Sequence, residues 1–219
     1  MGGPPTVRVH GEATVSAQPD QAQFDIGVVT QAASVRAAVD QNAAQTSAVM
    51  RELRNRVPEN DIKTINFAVN PNYRYPKEGA AATIDGYTAN NTVRLILNDV
   101  SKIPAVIEAA TKSGANSVNR LSFLLKDERP VRAKALATAA MQAEAGAEAL
   151  AGSLKLKLGH LLRVEEGQPV VVSPAHQMNF GRAESTDMTP ISPGTIDVHA
   201  NVDLTYVIIQ EQPPGSRQR

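Results

Sequence analysis

The sequence predicts an α+β fold, in which a mostly antiparallel sheet is covered by three helices and a β-ribbon protrudes from it. Several runs of apolar and polar residues alternate with a period of two, which is typical of strands with one buried face. Three longer runs have helical spacing instead. With 219 residues, of which 42% are hydrophobic and 20% charged, the chain can bury the core of one domain, predicted over residues 6–209.

The composition argues against several functional classes. The formal net charge is zero, so no excess of charge favours nucleic acid or an anionic membrane as a partner. Only 4% of the residues are aromatic and none is Trp, so there is no sign of a platform for stacking bases. Cysteine is absent, which removes disulfides and thiolate catalysis. No apolar run approaches the roughly 20 residues that span a bilayer.

The first strand is predicted from residue 6, where apolar and polar side chains begin to alternate. A second alternating run follows the turn residues Gln18-Pro19-Asp20, so residues 6–30 are predicted to form a β-hairpin. Residues 1–5 are predicted to be a disordered start or an expression remnant. They lack the basic and apolar regions of a signal peptide, so the chain is expected to be cytosolic or to have lost such a peptide.

A long amphipathic helix is predicted from Ala32 to Pro58. Two further strands follow, joined by a connector rich in Pro, Gly and Ala. Together they form the predicted ribbon arm over residues 65–97. Its outer half carries Tyr73, Tyr75 and Tyr87.

Two more helices are predicted on either side of a fifth strand. The second helix begins with Ser101 as its N-cap, has Pro104 in its first turn and ends at Gly114. The third, rich in alanine, runs from Asp127 to about Leu154. Its apolar positions form a seam of mostly small residues, comprising Leu136, Ala140, Ala143, Ala147, Leu150 and Leu154.

The last part of the chain combines two predicted strands with a long connection. The strands lie around residues 160–166 and over residues 196–209, and residues 210–219 are predicted to be a disordered tail. The connection at 168–195 is either a functional loop that binds a ligand or lines a pore, or a mobile insertion. It contains Met178, Phe180 and Met188, which give it apolar surface.

The order of several short motifs resembles the SIMPL-domain family. The motifs are Val7 to Val15 with Gln18-Pro19-Asp20, Asp61-Ile62-Lys63-Thr64, Asn70-Pro71-Asn72-Tyr73, Gly86-Tyr87-Thr88-Ala89-Asn90-Asn91, Ser113-Gly114-Ala115-Asn116, Leu158-Gly159-His160-Leu161-Leu162 and Pro193-Gly194-Thr195-Ile196. The resemblance covers residues 7–209. It implies an α+β fold, location in the periplasm or cell envelope, a link to oxidative-stress defence, and large homo-oligomers such as channel-like rings. It supplies no catalytic residues and no cofactor.

Two sets of residues are candidates for contacts between copies of the chain. Tyr73, Tyr75 and Tyr87 are either the contact surface of an oligomerising arm or ordinary cross-strand partners. Leu136, Ala140, Ala143 and Ala147 on the third helix could likewise contact another subunit. Packing of that helix on its own sheet is the favoured interpretation, because alanine is a strong helix former that needs no partner.

Metal binding and catalysis have little support in the sequence. Asp197, His199, Asn201 and Asp203 share one face of the last strand, which allows a metal site but is more typical of a solvated strand face. The histidines at 10, 160 and 176 are scattered. No nucleophile elbow, Walker loop or dinucleotide motif is present.

These observations predict a non-enzymatic, self-assembling protein that has itself as its partner and uses no cofactor. The alternative is a binding module that holds a small molecule or peptide in the 168–195 loop or in a cleft between subunits. An enzyme ranks third.

Overall fold

The computed structural model describes residues 4–75, 81–168, 170–172 and 193–210. The strands are β1 Thr6–Ala17, β2 Gln21–Ala32, β3 Ile62–Arg74, β4 Thr83–Leu97, β5 Ser117–Leu124, β6 Leu156–Glu166, β7 Val170–Val172 and β8 Ile196–Gln210; the α-helices are α1 Val35–Arg54, α2 Ile103–Lys112 and α3 Arg129–Ser153. Short 3₁₀ turns precede β3 and α2.

The described residues group into two compact units. The first contains the described residues of 4–18, 127–172 and 195–210, and the second contains those of 19–126 together with 193 and 194. Each unit has its own four-stranded antiparallel sheet.

In the first unit the strand order is β1-β8-β6, and β7 also pairs with β8. The helix α3 packs on one face of this sheet. The core of the first unit is formed by side chains of the sheet and alanines of the helix. The sheet contributes Val9, Val202, Leu204 and Tyr206, and the helix contributes Ala139, Ala143 and Ala147. At Gly11 the helix backbone comes so close that a Cβ atom would lie 2.0 Å from the carbonyl oxygen of Ala139. Glycine at this position and alanines on the helix therefore set the distance between helix and sheet.

In the second unit the strand order is β3-β4-β2-β5. The helix α1 contacts β2 and β4, and α2 lies against α1. The core of this unit is built from buried aliphatic side chains and two phenylalanines, including Phe24, Ile26, Leu53, Leu95, Ile103 and Phe123.

The structure confirms the α+β fold with three helices, but the predicted hairpin over residues 6–30 is wrong. β1 pairs with β8 along its whole length, from Thr6 opposite Val207 to Ala17 opposite Ile196, while β2 pairs with β4 and β5. Alternation shows which face of a strand is buried, but it does not show which strand lies next to it. The turn residues Gln18-Pro19-Asp20 connect the two units instead of closing a hairpin.

The helix ends are close to the predicted positions, with local differences. Ser34 is the N-cap of α1, and its hydroxyl accepts from the backbone N–H of Ala37. Ser101 does not cap the second helical segment as predicted. Asp99 does so, because its carboxylate accepts from the backbone N–H and the hydroxyl of Ser101. Gly114, after α2, has φ +115°, a conformation that glycine adopts without strain.

Several predicted features lie outside the described residues. They are most of the predicted disordered start and tail, and the 168–195 connection apart from residue 168, strand β7 and residues 193–195. His176, Met178, Phe180 and Met188 fall in this undescribed part.

Candidate functional site

The predicted ribbon is present in the second unit as the β3–β4 pair. Its pairing extends from Ile62 opposite Leu95 to Arg74 opposite Thr83. β3 is the last strand of its sheet, so one of its edges carries backbone groups without a strand partner among the described residues. The ribbon therefore presents both an open edge and exposed side chains.

Large apolar side chains on this ribbon are exposed. Tyr73 is 53% exposed, Tyr75 is 78% exposed and Phe67 is 54% exposed. Ile65 on β3 and Ile84 on β4 are also exposed. The rings of Tyr73 and Tyr75 have centroids 6.5 Å apart and are tilted by 43°.

Tyr87 differs from the other two tyrosines. It is half-buried, opposite Pro71, whereas Tyr73 lies opposite Ile84. The pairing shifts register between Pro71 and Tyr73, and also between Thr64 and Asn66. The alternation of side chains along β3 is therefore interrupted by two irregularities, which turn its side chains.

The buried seam of α3 coincides with the predicted one at Ala143 and Ala147 and differs from it at the other positions. The buried residues are Ala135, Ala139, Ala143, Ala147 and Ala151. Ala143 and Ala147 belong to the core of the first unit, while Leu136 and Ala140 are only half-buried. Leu150 and Leu154 are exposed. This placement agrees with packing of α3 on its own sheet, the interpretation that the sequence favoured.

The opposite face of the first unit's sheet is a ladder of polar cross-strand pairs. Ser16 donates its hydroxyl to Asp197 at 2.7 Å, and Thr14 Oγ1 lies 2.6 Å from His199 Nδ1. Further along, Asp203 is 3.3 Å from His10.

Arg8 contacts two carboxylates on this ladder, at 3.3 Å from Asp203 and 3.5 Å from Glu165. The hydrogen bond from Arg8 is the main reason that the pKa of Asp203 is lowered, and a weaker desolvation effect opposes it. Asp197, His199 and Asp203 therefore each have a protein partner. Among the described residues no three His, Asp or Glu side chains come together as a possible metal site.

The partners of the last strand are not those that the sequence predicts. Thr14 and Glu12 stand opposite His199 and Asn201, because β1 rather than β2 is the neighbour of β8. Clean alternation over matching lengths in the first and last runs was the signal that could have suggested this pairing. Asp25 was also missed. It lies in the middle of β2, is almost fully buried, and pairs with Arg94.

The chain was compared with known protein families and with curated proteins. Residues 7–206 match the sequence profile of the SIMPL family, which is described as a protein of unknown function, DUF541. The chain belongs to the SIMPL family. This result agrees with the ordered motifs, and it leaves the biochemical activity of the SIMPL domain open.

Relatives of this SIMPL chain occur in several bacteria. It is 29% identical over 192 residues to the uncharacterized protein YggE of Edwardsiella ictaluri, covering 86% of the chain and 75% of the relative. It is 29% identical over 215 residues to the uncharacterized protein YggE of Escherichia coli K12, covering 95% of the chain and 84% of the relative. It is 22% identical over 213 residues to the 26 kDa periplasmic immunogenic protein of Brucella melitensis, covering 94% and 85%.

None of the helices in the described part of the SIMPL chain is both long enough and apolar enough to cross a membrane.

Proposed function

We propose that this SIMPL protein is a non-enzymatic, self-assembling protein of the periplasm or cell envelope, in which copies meet through the β3–β4 ribbon. The exposed apolar side chains of that ribbon carry the proposal. A role in oxidative-stress tolerance would then follow from the assembled form and not from turnover of a substrate.

The two exposed tyrosines would contribute part of the free energy of association. Covering one tyrosine ring fully removes about 150 to 250 Å² from water, worth about 4 to 6 kcal/mol at about 25 cal/mol/Å². Tyr73 and Tyr75 are more than half exposed, so together they supply roughly the gain of one full burial. Association of two copies costs about 4 to 15 kcal/mol in lost translational and rotational freedom. The tyrosines alone are therefore not sufficient, and Phe67, Ile65 and Ile84 must contribute to the contact.

The open edge of β3 supplies a second attraction. An exposed edge strand offers backbone N–H and C=O groups to another strand, and natural proteins usually cover such edges. Exposed apolar side chains and an unpaired edge on the same ribbon favour a second copy of the chain as the cover. A two-stranded ribbon that leaves its sheet also gains order when it is covered.

The test is a measurement of mass. Mass photometry and light scattering of the full chain should show a species larger than one chain, and Tyr73→Ala combined with Tyr75→Ala should shift it to a smaller one. The matched control is Met141→Ala with Leu154→Ala, which removes comparably exposed apolar side chains from the α3 region. The control should leave the mass unchanged. A wild-type protein that is a single chain at all concentrations would refute the proposal, and so would equal masses for the two double variants.

The envelope location is supported by the Brucella relative, whose name calls it periplasmic. Osmotic-shock fractionation of the native bacterium should release the protein with periplasmic markers. Recovery with cytoplasmic markers would contradict this part of the proposal.

A further inference from the structure

The first unit contains a cleft of about 360 Å³ that no described function uses. This volume is near the lower end of the range for small-molecule sites. Its polar lining residues are Glu12, Thr14, Gln142, Gln168, His199 and Asn201. In the described part of the chain, the side chains of Glu12, Thr14, Gln142 and His199 are exposed.

Two hydrogen bonds fix the walls of this cleft. The backbone N–H of Glu12 donates to Oε1 of Gln142 at 2.9 Å, which orients the amide and leaves its NH₂ group as a pair of donors. Thr14 Oγ1 lies 2.6 Å from His199 Nδ1, so the other ring nitrogen of His199 remains for a ligand. The cleft is therefore partly preorganised for hydrogen bonding.

Gly167 holds the far side of the cleft against Asn201. Its backbone N–H donates to the Asn201 carbonyl oxygen at 3.1 Å. A Cβ atom at this position would lie 1.5 Å from Asn201 Oδ1, so Gly167 leaves room for the Asn201 amide in its present orientation. Asn201 and Gln168 both line the cleft.

The charges of the lining residues restrict the ligand. Among the lining residues that the structure describes, Glu12 is the only carboxylate and none is Lys or Arg. A phosphate or carboxylate ligand would meet Glu12 without a counter-charge. The apolar lining consists of two alanines and Val170, which is too little for a largely apolar ligand.

From this lining we infer that the cleft binds a small neutral polyhydroxylated molecule, of the monosaccharide or cyclitol class. Ligand hydroxyls donate to the Glu12 carboxylate and accept from the Gln142 amide and the His199 ring. The inference goes beyond self-assembly and concerns the other unit of the chain. The double variant Tyr73→Ala with Tyr75→Ala, which tests self-assembly, should therefore leave ligand binding in the cleft unchanged.

The experiment is a binding titration of the full chain with D-glucose, D-galactose and myo-inositol. Binding is detected by saturation-transfer NMR and measured by calorimetry. We expect saturable binding of at least one of them. Glu12→Ala and Gln142→Ala should each weaken it at least tenfold. The Glu12 variant keeps the backbone N–H that bonds to Gln142, so its fold is not at risk from loss of that contact. Thermal melting of both variants tests whether they remain folded.

The matched control is Ser16→Ala. Ser16 lies on the same face of β1 and bonds to a β8 side chain, but it does not line the cleft. Its affinity should equal that of the wild type. The inference is overturned if none of the three polyols binds, if Glu12→Ala binds as tightly as the wild type, or if ethanolamine or inorganic phosphate binds in place of the polyols.

Discussion

Asp25 and Arg94 form a two-point ion pair between the neighbouring strands β2 and β4. Nε of Arg94 lies 2.8 Å from Oδ1 of Asp25, and Nη2 lies 3.0 Å from Oδ2. The side chain of Asp25 is 3% exposed and that of Arg94 is 30% exposed. A buried carboxylate is costly unless it is paired and hydrogen-bonded, so the guanidinium makes this charge tolerable in the second sheet.

Removing the arginine from this pair should destabilise the fold strongly. We expect Arg94→Met to lower the free energy of unfolding by about 3 kcal/mol or more, because it leaves Asp25 buried without its main partner. Urea unfolding measures the change. Arg74→Met is the control, since Nε and Nη2 of Arg74 also donate to one carboxylate, both to Oδ2 of Asp85, but on the exposed ribbon. It should cost less than about 1 kcal/mol. If Arg94→Met and Arg74→Met lowered the free energy of unfolding equally, burial of the carboxylate would not be the cause of the larger effect.

Two glycines of the first unit should respond to alanine in opposite directions. Gly11→Ala places a methyl group 2.0 Å from the Ala139 carbonyl oxygen, so helix and sheet must separate. We expect a loss of about 1 to 3 kcal/mol or more. Gly146→Ala meets nothing within 4 Å and should stabilise α3 by about 0.5 to 1 kcal/mol. Chemical denaturation of both variants tests this, and a neutral Gly11→Ala would show that α3 does not approach so closely.

Two asparagines of the second unit should also differ. Asn42 is fully buried, and its amide donates to the carbonyl oxygens of Val28 and Ala89. Asn42→Leu removes both donors and should cost about 1 to 3 kcal/mol. Oδ1 of Asn91 is buried with no hydrogen-bond partner in the described structure. Asn91→Leu removes this unpaired acceptor, so its free energy of unfolding should equal or exceed that of the wild type. A reversed order of the two variants would refute this assignment.

The pH dependence of stability should contain a contribution from Asp203. Its pKa is lowered in the folded protein, chiefly by the hydrogen bond from Arg8. The unfolded chain therefore takes up this proton at a higher pH than the folded chain does. The stabilisation is fully present above about pH 4, the ordinary range for Asp, and is lost as the pH falls through the lower folded value. Melting temperatures from pH 7 to pH 2 should fall less for Asp203→Asn than for the wild type. Parallel curves would exclude the contribution.

The sequence was sufficient to predict the order of most elements, because apolar periodicity depends on neighbours along the chain. It did not predict which strands pair. β1 finds its partner in β8, at the far end of the chain, and alternation in either strand is equally compatible with several neighbours. The strands form two separate sheets. The order of strands along the chain is equally compatible with a single sheet.

The candidate residues show the same limit at the level of single side chains. The predicted and observed seams on α3 share only Ala143 and Ala147, because alanine occurs on several faces of this helix and spacing alone could not select the buried one. Asp25 had the appearance of a solvated strand residue, since its burial depends on Arg94 and the strands on either side. Gln142 is an exposed helix residue whose role depends on β1 lying within its reach.

The contact between Gln142 and β1 also determines how the first sheet can grow. β1 is a terminal strand, and at Glu12 the amide hydrogen that a newcomer would need is already engaged by a side chain from the helix. An extended peptide that paired with this edge would have to do without the hydrogen bond from the Glu12 N–H. The helix α3 thus removes one of the backbone donors through which another strand could add to β1.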